Sequence, residues 1–228
     1  MEQRRDSATA YIILADGFET IEALTPLDVL RRCGVEVTTI SLNQTRAVRS
    51  SHGVTVEADA RMEEYMLKRS NAGSSSSASS ASTTASSSTG ASDTNTTAST
   101  STNVSGTMRQ ALILPGGYPG YKNLCESAEV GALITQFHKE GKLLCAICGA
   151  PTALKANQIC RGAAITCHTS VKEELSDYYS ILSSAVVKYM NIITGMGAGR
   201  SIDFAFAIAE SLTSKEKVEE IKAKMEII

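Results

Sequence analysis

A chain of 228 residues that is 43% hydrophobic and 20% charged has enough apolar residues for one globular domain with a sizeable core. Its formal net charge is −2 and no block of Lys and Arg stands out, which argues against a nucleic-acid partner, because phosphate contacts require clustered basic residues. No apolar run approaches the ~20 residues that cross a bilayer, so we predict no membrane segment. Six cysteines without a recognisable secretion signal predict reduced thiols and a cytoplasmic protein.

The first part of the chain predicts strands and a helix in close alternation. The β-rich runs are Tyr11–Ala15, Val35–Leu42, Val48 and Val54–Val56. A helix between the first two runs ends near Cys33, where Gly34 follows. It starts either at a cap around Thr25–Asp28 or near Glu19, with a bend at Pro26. A strand, helix and strand in this order indicate a parallel sheet.

From Ser70 to about Gly106 the sequence consists of Ser, Thr, Ala, Asn and Gly almost throughout. Such a tract cannot bury enough apolar surface to offset its ordering entropy, so it is predicted to be disordered. We interpret it as a surface-loop insertion, at about residues 70–107, in a single domain that spans residues 8–228. The cost of closing a loop grows only slowly with its length, so a domain tolerates such an insertion.

The second part continues the alternation. The predicted strands are Gln110–Leu114, Leu143–Ile147, Ala163–Cys167, Ala185–Tyr189 and Met190–Thr194, the last two as a possible hairpin. The predicted helices are Ala128–Glu140, a helix through Thr152–Ala156, one that follows Gly195–Gly199 and carries Ile202 and Phe206 on one face, and a last one around Val218–Met225. This order predicts an α/β fold with an open, doubly wound, mostly parallel sheet and helices on both faces.

Cys148 stands on a sharp predicted turn between the strand that ends at Ile147 and the helix that follows Pro151. Such a turn can present a nucleophile, as the serine elbow of hydrolases does. The N–H groups of the following helix would favour the thiolate form of the cysteine. The alternative is a buried and inert cysteine, since free Cys behaves as a small apolar residue.

Ligands of such sheets lie beyond the carboxyl ends of the strands, where Cys148 is joined by two further candidates. Glu22 next to a thiolate would have a raised pKa and could donate a hydrogen bond, although its position is also typical of a solvated carboxylate. His168 follows a strand and could act as a general base or proton shuttle, or else is a surface histidine.

A glycine pair, Gly116 and Gly117, would let backbone approach a ligand closely. The N–H groups of Gly117 and Gly149 could form an oxyanion hole, although glycine pairs also occur in plain turns. The C-x-x-C motif of Cys145 and Cys148 is a poor disulfide, because three extended steps of ~3.3 Å separate the Cα atoms by about 10 Å and a bridge needs less than about 7 Å. We predict no metal site, because zinc would require a second pair of ligands.

Taken together, the motifs resemble the ThiJ/PfpI superfamily, in particular its branch of the parkinsonism-associated protein deglycase. The matching motifs are AxGFExIE at Ala15–Glu22, PLDVLRRCGVEV at Pro26–Val37, LILPGGYPG at Leu112–Gly120, AICGAPTAL at Ala146–Leu154, ITCH at Ile165–His168 and GxGxGxSIDFA at Gly195–Ala205. They cover nearly all of the chain except the Ser-rich insertion and the termini. One departure is Gly149-Ala150, which stands where that branch has Ala-Gly.

The resemblance implies a flavodoxin-like fold and a homodimer. It makes Cys148 the nucleophile, Glu22 its protonated glutamate and His168 the nearby histidine, with Gly116, Gly117 and Gly149 around the oxyanion. The implied function is a cofactor-free glyoxalase or deglycase that acts on methylglyoxal-type α-oxoaldehydes or their early adducts. The alternative is a redox-sensing chaperone that protects against oxidative stress and turns over little substrate.

Overall fold

Eleven strands and eight helices occupy the residues that the structure, a computed structural model, describes, namely 8–74 and 109–227. The strands are β1 (Thr9–Leu14), β2 (Glu36–Ser41), β3 (Ala47–Arg49), β4 (Thr55–Glu57), β5 (Ala60–Arg61), β6 (Gln110–Leu114), β7 (Leu143–Ile147), β8 (Ala164–Ile165), β9 (Ser180–Ile181), β10 (Val186–Tyr189) and β11 (Ile192–Gly195). The helices are α1 (Thr20–Arg32), α2 (Met62–Ser74), α3 (Gly120–Glu126), α4 (Ala128–Lys139), α5 (Pro151–Ala156), α6 (Lys172–Ser176), α7 (Ser201–Leu212) and α8 (Lys215–Lys224).

One seven-stranded sheet with the order β10-β11-β7-β6-β1-β2-β5 organises these elements. Every neighbouring pair is parallel except β10 and β11, which form an antiparallel hairpin. The five central strands, β2-β1-β6-β7-β11, follow the 2-1-3-4-5 order of flavodoxin-like sheets. The predicted α/β fold class is confirmed.

Both faces of the sheet are covered, which is why its central strands read as nearly continuous apolar runs. Successive side chains of a strand point to opposite faces. On β1, Ile12 belongs to the apolar cluster that includes α1, α7 and α8, whereas Ile13 belongs to the cluster that includes α4 and α5. All the functional candidates named above therefore rest on a scaffold that is buried on both sides.

The predicted strands β6 and β7 have the observed bounds, and the β3–β4 and β10–β11 hairpins are also present. Helix α1 starts at Thr20 and contains Pro26, so the later start around Thr25–Asp28 is wrong. Of the strand predicted at Ala163–Cys167, only the two residues of β8 are extended, and within the described part of the chain they pair with the equally short β9.

The Ser/Thr-rich insertion predicted at about 70–107 lies outside the described residues, except that residues 70–74 continue α2. No helix within 8–74 or 109–227 has both the length and the apolar character that a membrane span requires.

Candidate active site

Cys148 occupies a left-handed turn between β7 and α5. Its φ is 65°, a conformation that non-glycine residues adopt at a cost in backbone energy. Backbone hydrogen bonds hold the residue on both sides: its N–H donates to the Gly195 carbonyl at 3.0 Å, and its carbonyl accepts from the His168 N–H at 2.9 Å. The strand, sharp turn and helix predicted around this cysteine are therefore confirmed.

Glu22, in the first turn of α1, is completely buried. Its Oε2 accepts a hydrogen bond from the Gly116 N–H at 2.9 Å. Interpreting Glu22 as a solvated carboxylate is therefore wrong. Burial raises the pKa of Glu22 to about 7, while hydrogen bonding to Cys148 and Gly116 acts in the opposite direction. The carboxyl thus keeps its proton up to near-neutral pH.

The Cys148 thiol is half-buried beside this carboxyl. Burial first, and then the charge of Glu22, raise the pKa of Cys148 to about 12, although the N–H groups of Gly149 and Gly117 lower it. The N–H groups near the start of α5 favour the thiolate, as predicted, but burial has the larger effect on the pKa of Cys148. The two acids share one site, so the thiolate forms most readily when Glu22 keeps its proton.

Two glycines let the loop after β6 approach both acids. A Cβ atom on Gly116 would lie 2.7 Å from the Cys148 Cβ and 2.7 Å from the Glu22 Oε2, so only glycine fits there. Gly117 has a φ of 90°, and a Cβ on it would lie 2.3 Å from the Glu19 nitrogen. This packing of the loop against the β1–α1 turn brings Glu22 to the cysteine.

His168 is adjacent through its backbone, but its exposed ring points to a different partner. Its Nδ1 accepts a hydrogen bond from the Ser170 N–H at 3.2 Å and lies 2.8 Å from the Ser170 hydroxyl. In the neutral ring, the proton therefore resides on Nε2, which can donate it. No hydrogen bond joins this ring to the Cys148 sulfur among the contacts of the described residues. The arrangement suits a proton donor to substrate better than a base for the thiol.

Sequence reasoning missed three residues that shape the site. Ser170 fixes the tautomer of His168, Gly195 anchors the Cys148 backbone, and the ring of Tyr121 lies against Gly149. Of these three, only Gly195 could have been predicted from the sequence, since it ends β11 at the same sheet edge as Cys148.

The second cysteine of the C-x-x-C motif plays no part in this geometry. Cys145 is fully buried within β7, and burial raises the pKa of its thiol. All six cysteines are free thiols.

Comparisons with known proteins agree with the fold. The model of the DJ-1/PfpI family matches residues 8–211. Protein dj-1beta of Drosophila melanogaster is 32% identical over 216 residues, which cover 94% of this chain and 95% of the relative. The crystal structure of Drosophila melanogaster DJ-1beta superposes with a TM-score of 0.77 at 30% identity, covering 97% of this chain and 99% of that one.

Two further relatives are informative. The Parkinson disease protein 7 homolog of Danio rerio is 30% identical over 218 residues, or 95% of each chain. The glutathione-independent glyoxalase DJR-1.2 of Caenorhabditis elegans is 38% identical over 107 residues, which cover 46% of this chain and 56% of the relative. With a family match that runs from the first strand to α7 and near-full-length similarity to these proteins, the chain belongs to the DJ-1/PfpI family.

Proposed function

We propose that the protein is a cysteine-dependent, glutathione-independent glyoxalase and deglycase that converts methylglyoxal-type α-oxoaldehydes, or their early adducts, to hydroxy acids. The observation that carries the proposal is the buried Glu22 carboxyl, which shares a site with a half-buried cysteine on a strained turn. Similarity to a relative named as a glutathione-independent glyoxalase supports it.

In the first step, the Cys148 thiol loses its proton to solvent, its sulfur adds to the aldehyde carbon, and the carbonyl electrons move to oxygen. The N–H groups of Gly117 and Gly149, which already face the sulfur, stabilise that oxyanion. Glu22 keeps its proton while the sulfur carries the charge, because one buried site does not hold two negative charges easily.

In the second step, the hydrogen on the former aldehyde carbon leaves as a proton, and its electron pair forms an enediol. A proton then returns to the neighbouring carbon, which leaves a thioester on Cys148. Glu22 gives its proton to the oxyanion, and the carboxylate so formed takes the proton from the former aldehyde carbon and returns it to the neighbouring carbon. The His168 Nε2–H is the donor that we propose for the oxygen on that neighbouring carbon. Water hydrolyses the thioester to lactate and the free thiol. One carbon is oxidised while its neighbour is reduced, so the balance requires only water.

Purified protein with methylglyoxal and no glutathione should therefore produce lactate, measured enzymatically or by NMR. Absence of lactate above the rate in buffer would contradict the proposal.

We further infer a homodimer in the cytoplasm. The apolar side chains of Ile21, which precedes Glu22, and of Val54 are exposed and would be covered by a second copy. The free state of all six cysteines agrees with a reducing compartment.

A redox-sensing role is the second candidate, and one observation favours it. The Glu22 Oε1 is buried and lacks a hydrogen-bond partner among the described residues. When protonated, that oxygen could donate to a sulfinic acid formed on Cys148 by two equivalents of peroxide. Mild peroxide should then add two oxygen atoms selectively at Cys148, as detected by peptide mass spectrometry. Negligible turnover with this selective oxidation favours the sensor; uniform oxidation of the exposed thiols contradicts it.

A further inference from the structure

The ring of Tyr121 takes the space that a side chain at position 149 would need. A Cβ atom on Gly149 would lie 2.7 Å from the Tyr121 Cδ1 and 2.8 Å from its Cγ. This contact gives a physical reason for the Gly149-Ala150 order, which differs from the Ala-Gly of the branch that the sequence resembles.

A second tyrosine extends this aromatic surface toward solvent. Tyr118 directly follows Gly117 and is 67% exposed. Its ring centroid lies 6.4 Å from that of Tyr121, with the planes tilted by 57°. The Tyr121 N–H also donates to the Gly117 carbonyl at 2.9 Å. The N–H groups of Gly117 and Gly149 face the sulfur. Tyr118 follows Gly117 in the chain, and the Tyr121 ring packs against Gly149, so both tyrosines lie next to these N–H groups.

We propose that Tyr118 and Tyr121 form an aromatic wall beside Cys148 that binds the aryl group of aromatic α-oxoaldehydes in preference to the methyl group of methylglyoxal. This inference rests on the proposed function and specifies its substrate class. A flat aryl group on the carbonyl next to the aldehyde can stack on the exposed Tyr118 ring and remove both apolar surfaces from water. The Lys122 ammonium, 5.4 Å from the centre of the Tyr118 ring, disfavours a cationic substituent instead.

The chemistry is that of the proposed reaction with phenyl in place of methyl. The sulfur adds to the aldehyde carbon, the proton on that carbon moves to the neighbouring carbon through the enediol, and water releases mandelate. No oxidant or reductant enters, because the aldehyde carbon loses two electrons and the neighbouring carbon gains two.

The first test compares phenylglyoxal with methylglyoxal as the ratio of their kcat/KM values. Tyr118→Ala should lower the ratio by about fivefold, in the range expected for losing one aromatic contact, while Tyr118→Phe retains it. Tyr189→Ala is the matched control, since Tyr189 is 37% exposed on β10, remote from the site. An equal loss for both aldehydes, or an unchanged ratio, overturns the aromatic wall and leaves the proposed function standing.

The second test does not depend on turnover. Chloroacetone and 2-chloroacetophenone alkylate a thiol by the same displacement, in which the S–C bond forms, chloride leaves and the thiol proton passes to buffer. Peptide mapping gives the alkylation rate of Cys148 with each reagent, and the ratio of the two rates is divided by the same ratio for free cysteine. In the wild type this normalised ratio should favour the aryl reagent. In Tyr118→Ala it should fall by about the same factor as the kcat/KM ratio. If neither aldehyde is turned over, the proposed function fails, but the alkylation ratio still tests the aromatic wall. An absent aryl preference, or a preference that persists in Tyr118→Ala, overturns the aromatic wall.

Discussion

Replacing Cys148 with serine should reduce lactate formation from methylglyoxal by roughly 10³-fold or more, because the hydroxyl is a far weaker nucleophile than a thiolate. Serine is close to cysteine in size and tolerates the same left-handed turn about equally well. The backbone bonds to Gly195 and His168 involve no side-chain atom of residue 148 and remain available. The fold should therefore persist, with an unchanged circular dichroism spectrum and thermal midpoint, while lactate falls to the rate in buffer.

The matched control is Cys160→Ser. Cys160 is also half-buried and also has a positive φ, of 45°, but its sulfur contacts the His138 Nε2 at 3.7 Å rather than Glu22. This variant should keep its activity. Lactate production that survives Cys148→Ser would remove the covalent mechanism, whereas equal losses in both variants would indicate damage to the fold.

Replacing Glu22 with glutamine should make stability less dependent on pH. The pKa of Glu22 is raised in the folded state from 4.5 to about 7, so the folded protein holds this proton more tightly than the unfolded chain. The contribution of Glu22 to the free energy of unfolding is fully present below pH 4.5 and is lost as the pH rises through about 7. By linkage the wild type loses about 3 kcal/mol of unfolding free energy over this window. Glutamine stays neutral and still accepts from the Gly116 N–H, so its variant avoids that loss.

The measurement is the urea unfolding free energy of both proteins at pH 5 and pH 8. The stability of Glu22→Gln relative to the wild type should rise between these values. Glu126→Gln, at an exposed glutamate of α3, serves as the control and should differ from the wild type equally at both pH values. An unchanged difference for Glu22→Gln would mean that the carboxyl is ionised and solvated in the folded protein, and the shared-proton site would have to be abandoned.

The sequence was sufficient to predict the central strands and the turn at Cys148. Strands β6 and β7 are apolar runs that end at Pro115 and at Cys148-Gly149, so the hydrophobic pattern and the strand-ending residues predict the same limits. The convergence of Glu22, Gly116 and Cys148 also followed from topology, because parallel strands bring their carboxyl ends to one edge.

The state of the acids did not follow from the sequence. Glu22 lies in the first turn of an amphipathic helix, where exposure is the rule, yet it is buried and accepts a hydrogen bond from Gly116, 94 positions away. The tautomer of His168 depends on Ser170, and the short helices α3 and α6 have too few turns for an apolar period. These features arise from tertiary contacts that no local window of sequence encodes.

The contact between Tyr121 and Gly149 also couples changes at these two positions. A methyl group at 149 would require the Tyr121 ring to shift, since the Cβ atom would lie 2.7 Å from its Cδ1. A substitution at 149 therefore requires the Tyr121 ring to move or to be replaced. The effects of substitutions at either position therefore depend on which residue occupies the other.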